Sequence, residues 1–225
     1  MTDLEFSRKY DREHAERYLR KHRTGFARRL SNWRDMQIAR TALLLADEPG
    51  LVLDLPCGAG RFWPLLAEKC GRQIIAADSS ADMLTVAWNA QPSDVIKRVR
   101  LLYTSAFSID LPDNAVDCVF SMRLLHHIGD PANRLAVLKE FHRVSRDSVI
   151  LSLWVDGNLK SWRRKRIEST RDKRAYQNRF VVSAKAIEAE FAQAGFAIQQ
   201  HLDHVPLLQM WRVYVLRKVH AAGPE

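Results

Sequence analysis

Residues 52–61 read V-L-D-L-P-C-G-A-G-R, and this stretch decides the fold. Val52, Leu53 and Leu55 form a short apolar run, the mark of a strand buried on both faces. The run meets a proline and two closely spaced glycines, so the chain has to turn sharply. Gly58 and Gly60 let the backbone double back and approach a ligand with no side chain in the way. Pro56 stands where such loops commonly carry their first glycine. It holds φ at about −65° and offers no amide donor, which fits a turn position of negative φ.

Outward from this stretch, strand and helix alternate. Strands are expected at 51–55, 73–77, 98–103, 116–121 and 147–155, with helices at about 60–70, 80–91 and 131–144. Ser183 is a candidate N-cap for a helix through Gln193, and Gly195 closes it. Two final strands fall near 196–203 and 209–217. The pattern predicts an α/β domain: a seven-stranded, mostly parallel sheet with helices on both faces and one antiparallel strand at an edge. Upstream, residues 10–22 read as a polar helix broken at Thr24-Gly25. Residues 30–46 read as a second helix, with Ser31 as its candidate N-cap. Residues 1–47 are therefore an N-terminal helical extension of one domain spanning 48–220, with a basic insertion at about 156–182.

With 225 residues, 47% of them hydrophobic and 27% charged, the chain has the composition of a globular domain. Cys57, Cys70 and Cys118 make neither a disulfide framework nor a metal-ligand spacing, so no metal is expected. No apolar leader and no membrane-length apolar run is present, so the expectation is a cytoplasmic protein, or one peripheral to a membrane. The net charge of +9 is concentrated: residues 17–40 and 158–179 carry +14 between them, leaving the rest near −5.

The loop ends where ligands of parallel sheets sit, beyond the carboxyl ends of strands. A helix starting near Arg61 would aim its first amides at an anionic group there. Asp78 ends the second expected strand, twenty residues after Gly58, where a carboxylate can accept hydrogen bonds from both ribose hydroxyls. A dinucleotide fingerprint beginning at Gly58 would need a glycine at Trp63, and no Gly-Lys-Ser/Thr follows for a P-loop. S-adenosylmethionine is the nucleoside cofactor left, its carboxylate facing the helix.

These motifs carry a resemblance. V-L-D-L-P-C-G-A-G-R-F, then I-I-A-A-D-S-S-A-D-M-L, then L-P-D-N-A-V-D-C-V-F-S-M-R-L-L-H-H-I and A-E-F-A-Q-A-G-F-A-I-Q-Q-H stand in the order found in class I S-adenosylmethionine-dependent methyltransferases, and residues 40–218 resemble that family. The resemblance implies a Rossmann-like fold. It implies that Asp54 and the turn Pro56, Cys57, Gly58, Ala59 and Gly60 shape the methionyl pocket. Asp78 would hold the ribose, and Ser79 and Met83 would flank the adenosine. Ser105 and Ala106 stand where the family often has an acid on the adenine amino group.

The acceptor is expected at the ends of strands four and five. No Asp/Asn/Ser-Pro-Pro-Tyr/Phe motif follows strand four, which weighs against nucleobase amino groups and glutamine. His126 and His127 are the candidate bases, set against the plainer roles of capping a connection or lining the adenosine pocket. Arg123 is a candidate partner for an anionic acceptor, set against an ordinary loop residue. Trp154 is a candidate wall, set against plain core packing. Cys57 is either acidified at a helix N-terminus or an inert small residue. With the two basic segments at its rim, the pocket suits an anionic, phosphate-bearing small molecule or a glycolipid at a membrane surface. RNA is less favoured because no RNA-binding module is appended. A non-catalytic partner protein docking through the basic segments is the alternative of another class. A nicotinamide oxidoreductase is disfavoured by Trp63.

Overall fold

The structure, a computed structural model, describes residues 26–169 and 179–219. The helix expected at 10–22, the break at Thr24-Gly25 and residues 170–178 of the basic segment lie outside them. The elements are α1 (Phe26–Leu45), β1 (Leu51–Asp54), α2 (Trp63–Leu66), β2 (Gln73–Asp78), α3 (Ala81–Ala90), α4 (Ser93–Ile96), β3 (Val99–Tyr103), β4 (Val116–Ser121), a 3-10 turn (Leu125–His127), α5 (Pro131–Val144), β5 (Ser145–Trp154), α6 (Leu159–Ser169), α7 (Ala184–Gln193), β6 (Phe196–Asp203) and β7 (Trp211–Lys218).

One seven-stranded sheet has the order β3-β2-β1-β4-β5-β7-β6. Every pairing is parallel except those of β7, which runs antiparallel to both β5 and β6. The reversed strand is thus one in from the edge, and β6 is outermost. The burial patterns explain the order: Val213–Leu216 of β7 are buried, whereas Ala197–His201 of β6 are exposed. A buried apolar strand wants neighbours on both sides, and a polar one tolerates the edge. Strand succession reverses direction between β1 and β4, which opens a crevice beyond their carboxyl ends.

Alternate residues feed two cores. Leu53, Ile75, Val119 and Leu151 meet α5 and α7 through Val137, Phe141, Ile187 and Phe191. Val52, Ile74, Phe120 and Ile150 meet Ile38, Ala42 and Leu43 of α1, Trp63 and Leu66 of α2, and Leu84 and Ala87 of α3. The buried Arg134–Glu190 pair, at 2.8 and 2.5 Å, ties α5 to α7.

Four local expectations need correction. The helix expected at 60–70 is one turn, Trp63–Leu66. The Leu66, Ala67 and Lys69 carbonyls beyond it are taken by the guanidinium groups of Arg72 and Arg98. Ser31 lies inside α1, which starts at Phe26. Ser183 precedes α7 but makes no side-chain cap; Asp156 accepts the Ala184 amide instead, at 3.1 Å. The basic segment after β5, left without an element by the sequence, opens with the helix α6. Among the described residues no helix is long and apolar enough to cross a membrane.

Candidate functional site

The loop after β1 is built against the end of β2. The Leu55–Pro56 peptide is cis. The Cys57 amide donates to Ala77 O at 2.8 Å, the Gly60 amide to Cys57 O at 3.0 Å, and Gln91 Nε2 to Gly60 O at 2.9 Å. Gly58 and Gly60 take φ of +52° and +70°. The Asp78 carboxylate accepts from the Gly58 amide at 2.9 Å with one oxygen and from the Ser80 amide at 3.0 Å with the other. Asp78 therefore holds the glycine turn in shape besides facing the crevice.

Asp54 and Asp78 are both buried. Burial pushes Asp78 up to about 6 against the pull of its backbone donors. Burial raises Asp54 well above the usual carboxylate range. The Trp63 indole beside it opposes the rise without completing a hydrogen bond, and the charge of Asp78 adds to it. Asp54 Oδ2 has no hydrogen-bond partner. Two carboxylates in one buried loop, one oxygen unpaired, suit a ligand that brings positive charge and donors. S-adenosylmethionine, with an ammonium, a sulfonium and a ribose diol, fits that requirement. Beside Gly58 the space is open: a Cβ there would meet no atom within 4 Å. Burial, then the charges of Asp54 and Asp78, raises the Cys57 thiol well above its usual value, which favours the inert reading of Cys57. The one-turn α2 is also too short to supply the helix N-terminus foreseen for an anion.

The other cofactor candidates line the same edge. Ala59 is buried in the loop. Ser79 is exposed after β2, and Met83 is buried in the first turn of α3, its amide donating to Ser80 Oγ. Ser105 and Ala106 sit half-buried in the turn after β3, where Ser105 Oγ accepts from the Phe107 amide at 3.2 Å.

Beyond β4 a second group assembles. Arg123 has φ of +67°, a left-handed conformation uncommon for a side-chain-bearing residue. Its amide donates to Ser152 Oγ at 2.9 Å, its guanidinium donates to Asp35 of α1, and its cation lies 4.8 Å from the Trp211 ring centre. The same Asp35 oxygen accepts from Arg61 at 2.6 Å, and the other lies 3.3 Å from His204 Nε2. Burial alone would raise Asp35, but the His204 hydrogen bond and the Arg123 and Arg61 cations hold it well below the usual range. Asp35, Ile38, Met122, Arg123, Ser152 and Trp211 line a recess here.

His126 is buried between rings: His127 at 4.0 Å, Trp211 at 4.8 Å and Trp154 at 5.1 Å. Its Nδ1 has no hydrogen-bond partner. Burial, then the charges of His127, Arg179, Arg123 and Arg164, lowers its basicity well below the ordinary imidazole. His126 is thus neutral near pH 7 and a feeble proton acceptor. Arg164 of α6 lies 4.8 Å, and Arg179 5.8 Å, from the Trp154 ring centre. Three arginines therefore surround an aromatic wall of His126, Trp154 and Trp211, an arrangement able to hold a desolvated anion. Sequence reasoning found Arg123, the two histidines and Trp154. It missed Asp35, His204 and Trp211, which come from α1 and from the two ends of the β6–β7 connection and carry no local spacing signal. Among the described residues no group of three His, Cys, Asp or Glu is placed to hold a metal ion.

Comparison with known proteins follows the sheet. Residues 53–153 match a family described as a methyltransferase domain. Over 109 residues the chain is 33% identical to an uncharacterised methyltransferase-like protein of Schizosaccharomyces pombe, covering 48% of this chain and 39% of that one. Over another 109-residue alignment it is 32% identical to the tRNA U34 carboxymethyltransferase of Pseudoalteromonas atlantica, covering 48% of this chain and 33% of that one. The chain thus aligns with well under half the length of these two relatives. Magnesium protoporphyrin IX methyltransferase of Synechocystis PCC 6803, solved with bound SAH, is similar in structure, with a TM-score of 0.68 and 17% identity over 87% of this chain and 88% of that one. At that identity the likeness is one of fold.

Proposed function

We propose that this chain, which matches a methyltransferase domain over residues 53–153, is a class I S-adenosylmethionine-dependent methyltransferase and transfers the methyl group to an anionic, phosphate-bearing small molecule or glycolipid. The observation that carries this reading is the set Arg123, Arg164 and Arg179 around the wall of His126, Trp154 and Trp211, beside the glycine loop.

When bound, S-adenosylmethionine supplies a methyl on a sulfonium whose sulfur leaves neutral, so no acid is needed for the leaving group. In this reading Gly58 gives it bare backbone, Asp78 accepts its ribose hydroxyls, and Asp54 and Asp78 offset its positive charge. Met83, Ser79, Ser105 and Ala106 border the adenosine. The arginines fix the acceptor by its anionic group, and most of the rate gain is alignment of nucleophile with methyl. His126 acts as wall. His127, less buried and stacked on it, is the candidate base for an oxygen or nitrogen acceptor.

A second reading, RNA as acceptor, is favoured by the similarity to a tRNA-modifying enzyme. Labelled-methyl transfer to fractionated cell extract separates the two. The expected result is label that survives nuclease and protease but leaves with the lipid or small-molecule fraction. Label removed by nuclease would favour RNA. No transfer to any fraction would leave the non-catalytic partner.

A further inference from the structure

We propose that α6 and the β6–β7 loop seat this protein on an anionic lipid bilayer, with the acceptor mouth turned toward the headgroups. Along α6, Leu159, Trp162, Arg163, Arg166 and Ile167 follow the i, i+3, i+4, i+7, i+8 spacing of a face that ordinarily packs on a core. Here that face is outward: Leu159 is 48% exposed, Trp162 55% and Ile167 65%, with Arg163 and Arg166 exposed among them. The opposite side is anchored by buried Ser161 and by Arg164 on Trp154.

The β6–β7 loop extends the patch. Leu207 is 79% exposed and held at a φ of +60°, a strained conformation for leucine, and Leu208 is 51% exposed. The carbonyls of Leu207 and Leu208 accept from the amides of Leu159 and Lys160 at 2.9 and 3.3 Å, and Lys160 Nζ donates to Gln209 Oε1 at 2.8 Å. Loop and helix therefore form one continuous surface. The loop closes onto the site itself, because the Val155 amide, just past β5, donates to Met210 O at 2.9 Å.

Charge complementarity selects the occupant. Residues 159–167 contain five cations and no acid, and the nearby Asp203 is neutralised by Arg212 at 2.6 and 3.1 Å. Leucines and a tryptophan set among cations match an interface where acyl chains meet anionic headgroups. The orientation of the mouth rests on the proposed acceptor site. The membrane contact does not, and it can be read without any methyl transfer.

The test is cosedimentation of the full chain with phosphatidylcholine vesicles, with or without phosphatidylglycerol. Two variants are compared, Leu207→Asp with Leu208→Asp, and Arg163→Glu with Arg166→Glu, their folding checked by thermal unfolding. The expected result is binding that needs phosphatidylglycerol and falls about tenfold or more in either variant. No binding to anionic vesicles, or equal binding by the leucine variant, overturns the proposal. So does a dimer in sedimentation velocity that the leucine variant disperses, since the face would then be covered by a second copy.

Discussion

Gly58 and Gly60 stand two residues apart, and their surroundings differ. Both have positive φ, but a Cβ on Gly58 would enter open space, whereas one on Gly60 would come within 2.9 Å of the Trp63 ring. Trp63 is fully buried and has no room to yield. Gly58→Ala should therefore cost about 1 kcal/mol of stability, from the left-handed backbone alone. Gly60→Ala should cost about 2 to 4 kcal/mol, strain and overpacking together. Urea denaturation of the two variants checks the order, and calorimetry should show Gly58→Ala losing cofactor affinity despite its milder fold defect.

Asp78 carries a pH signature. Its carboxyl is raised from 3.8 to about 6, and the ionised form is the one that accepts from ribose hydroxyls. Cofactor affinity should fall as the pH drops through about 6. Stability should run the other way. The native state holds this proton more tightly than the unfolded chain, so the contribution of Asp78 is greatest at low pH and is lost as pH rises from about 4 to about 6. In Asp78→Asn both dependences should flatten. Titration calorimetry from about pH 5 to pH 8 decides, and an affinity constant across that range would sink the assignment.

At the scale of elements, α1 is fastened to the site by one acid. Asp35 reaches Arg61 in the loop after β1, Arg123 after β4 and His204 after β6, so three separate connections share a carboxylate. Asp35→Ala would leave buried cations without their partner. It should destabilise the protein by about 3 to 5 kcal/mol in denaturant unfolding, far more than a surface ion-pair variant such as Glu68→Ala. None of this was legible in the chain, because the network joins residues 35, 61, 123 and 204 with no periodic pattern between them. By contrast α5 is found at the residues the sequence pointed to, 131–144. Pro131 opens it, and Asp130 caps it by accepting the Ala132 amide at 3.0 Å, both local signals. α6 was illegible for the opposite reason. Its apolar stripe is diluted with arginines and faces outward, so periodicity offered no buried face to recognise.

For the whole molecule, strand–helix alternation sufficed to foresee the sheet, because each buried strand shows as its own apolar run. The place of β7 could not be read from adjacency. It follows from a comparison of W-R-V-Y-V-L-R-K with F-A-I-Q-Q-H-L-D, in which the later strand is the more apolar and takes the inner position. Among the described residues of the two basic segments, Arg34 donates to His204 O at 3.1 Å, while Arg164 and Arg179 lie over Trp154 beyond β5.

The inward placement of β7 also sets an order of assembly. Among the described residues β6 hydrogen-bonds only to β7, so it joins the sheet together with β7 or after it. During synthesis from the amino end, the glycine turn and its carboxylates emerge more than a hundred residues before Trp211. On a ribosome-bound chain the glycine turn is therefore made while Trp211 is still missing, and in the proposed reading the donor's side of the site precedes the acceptor's.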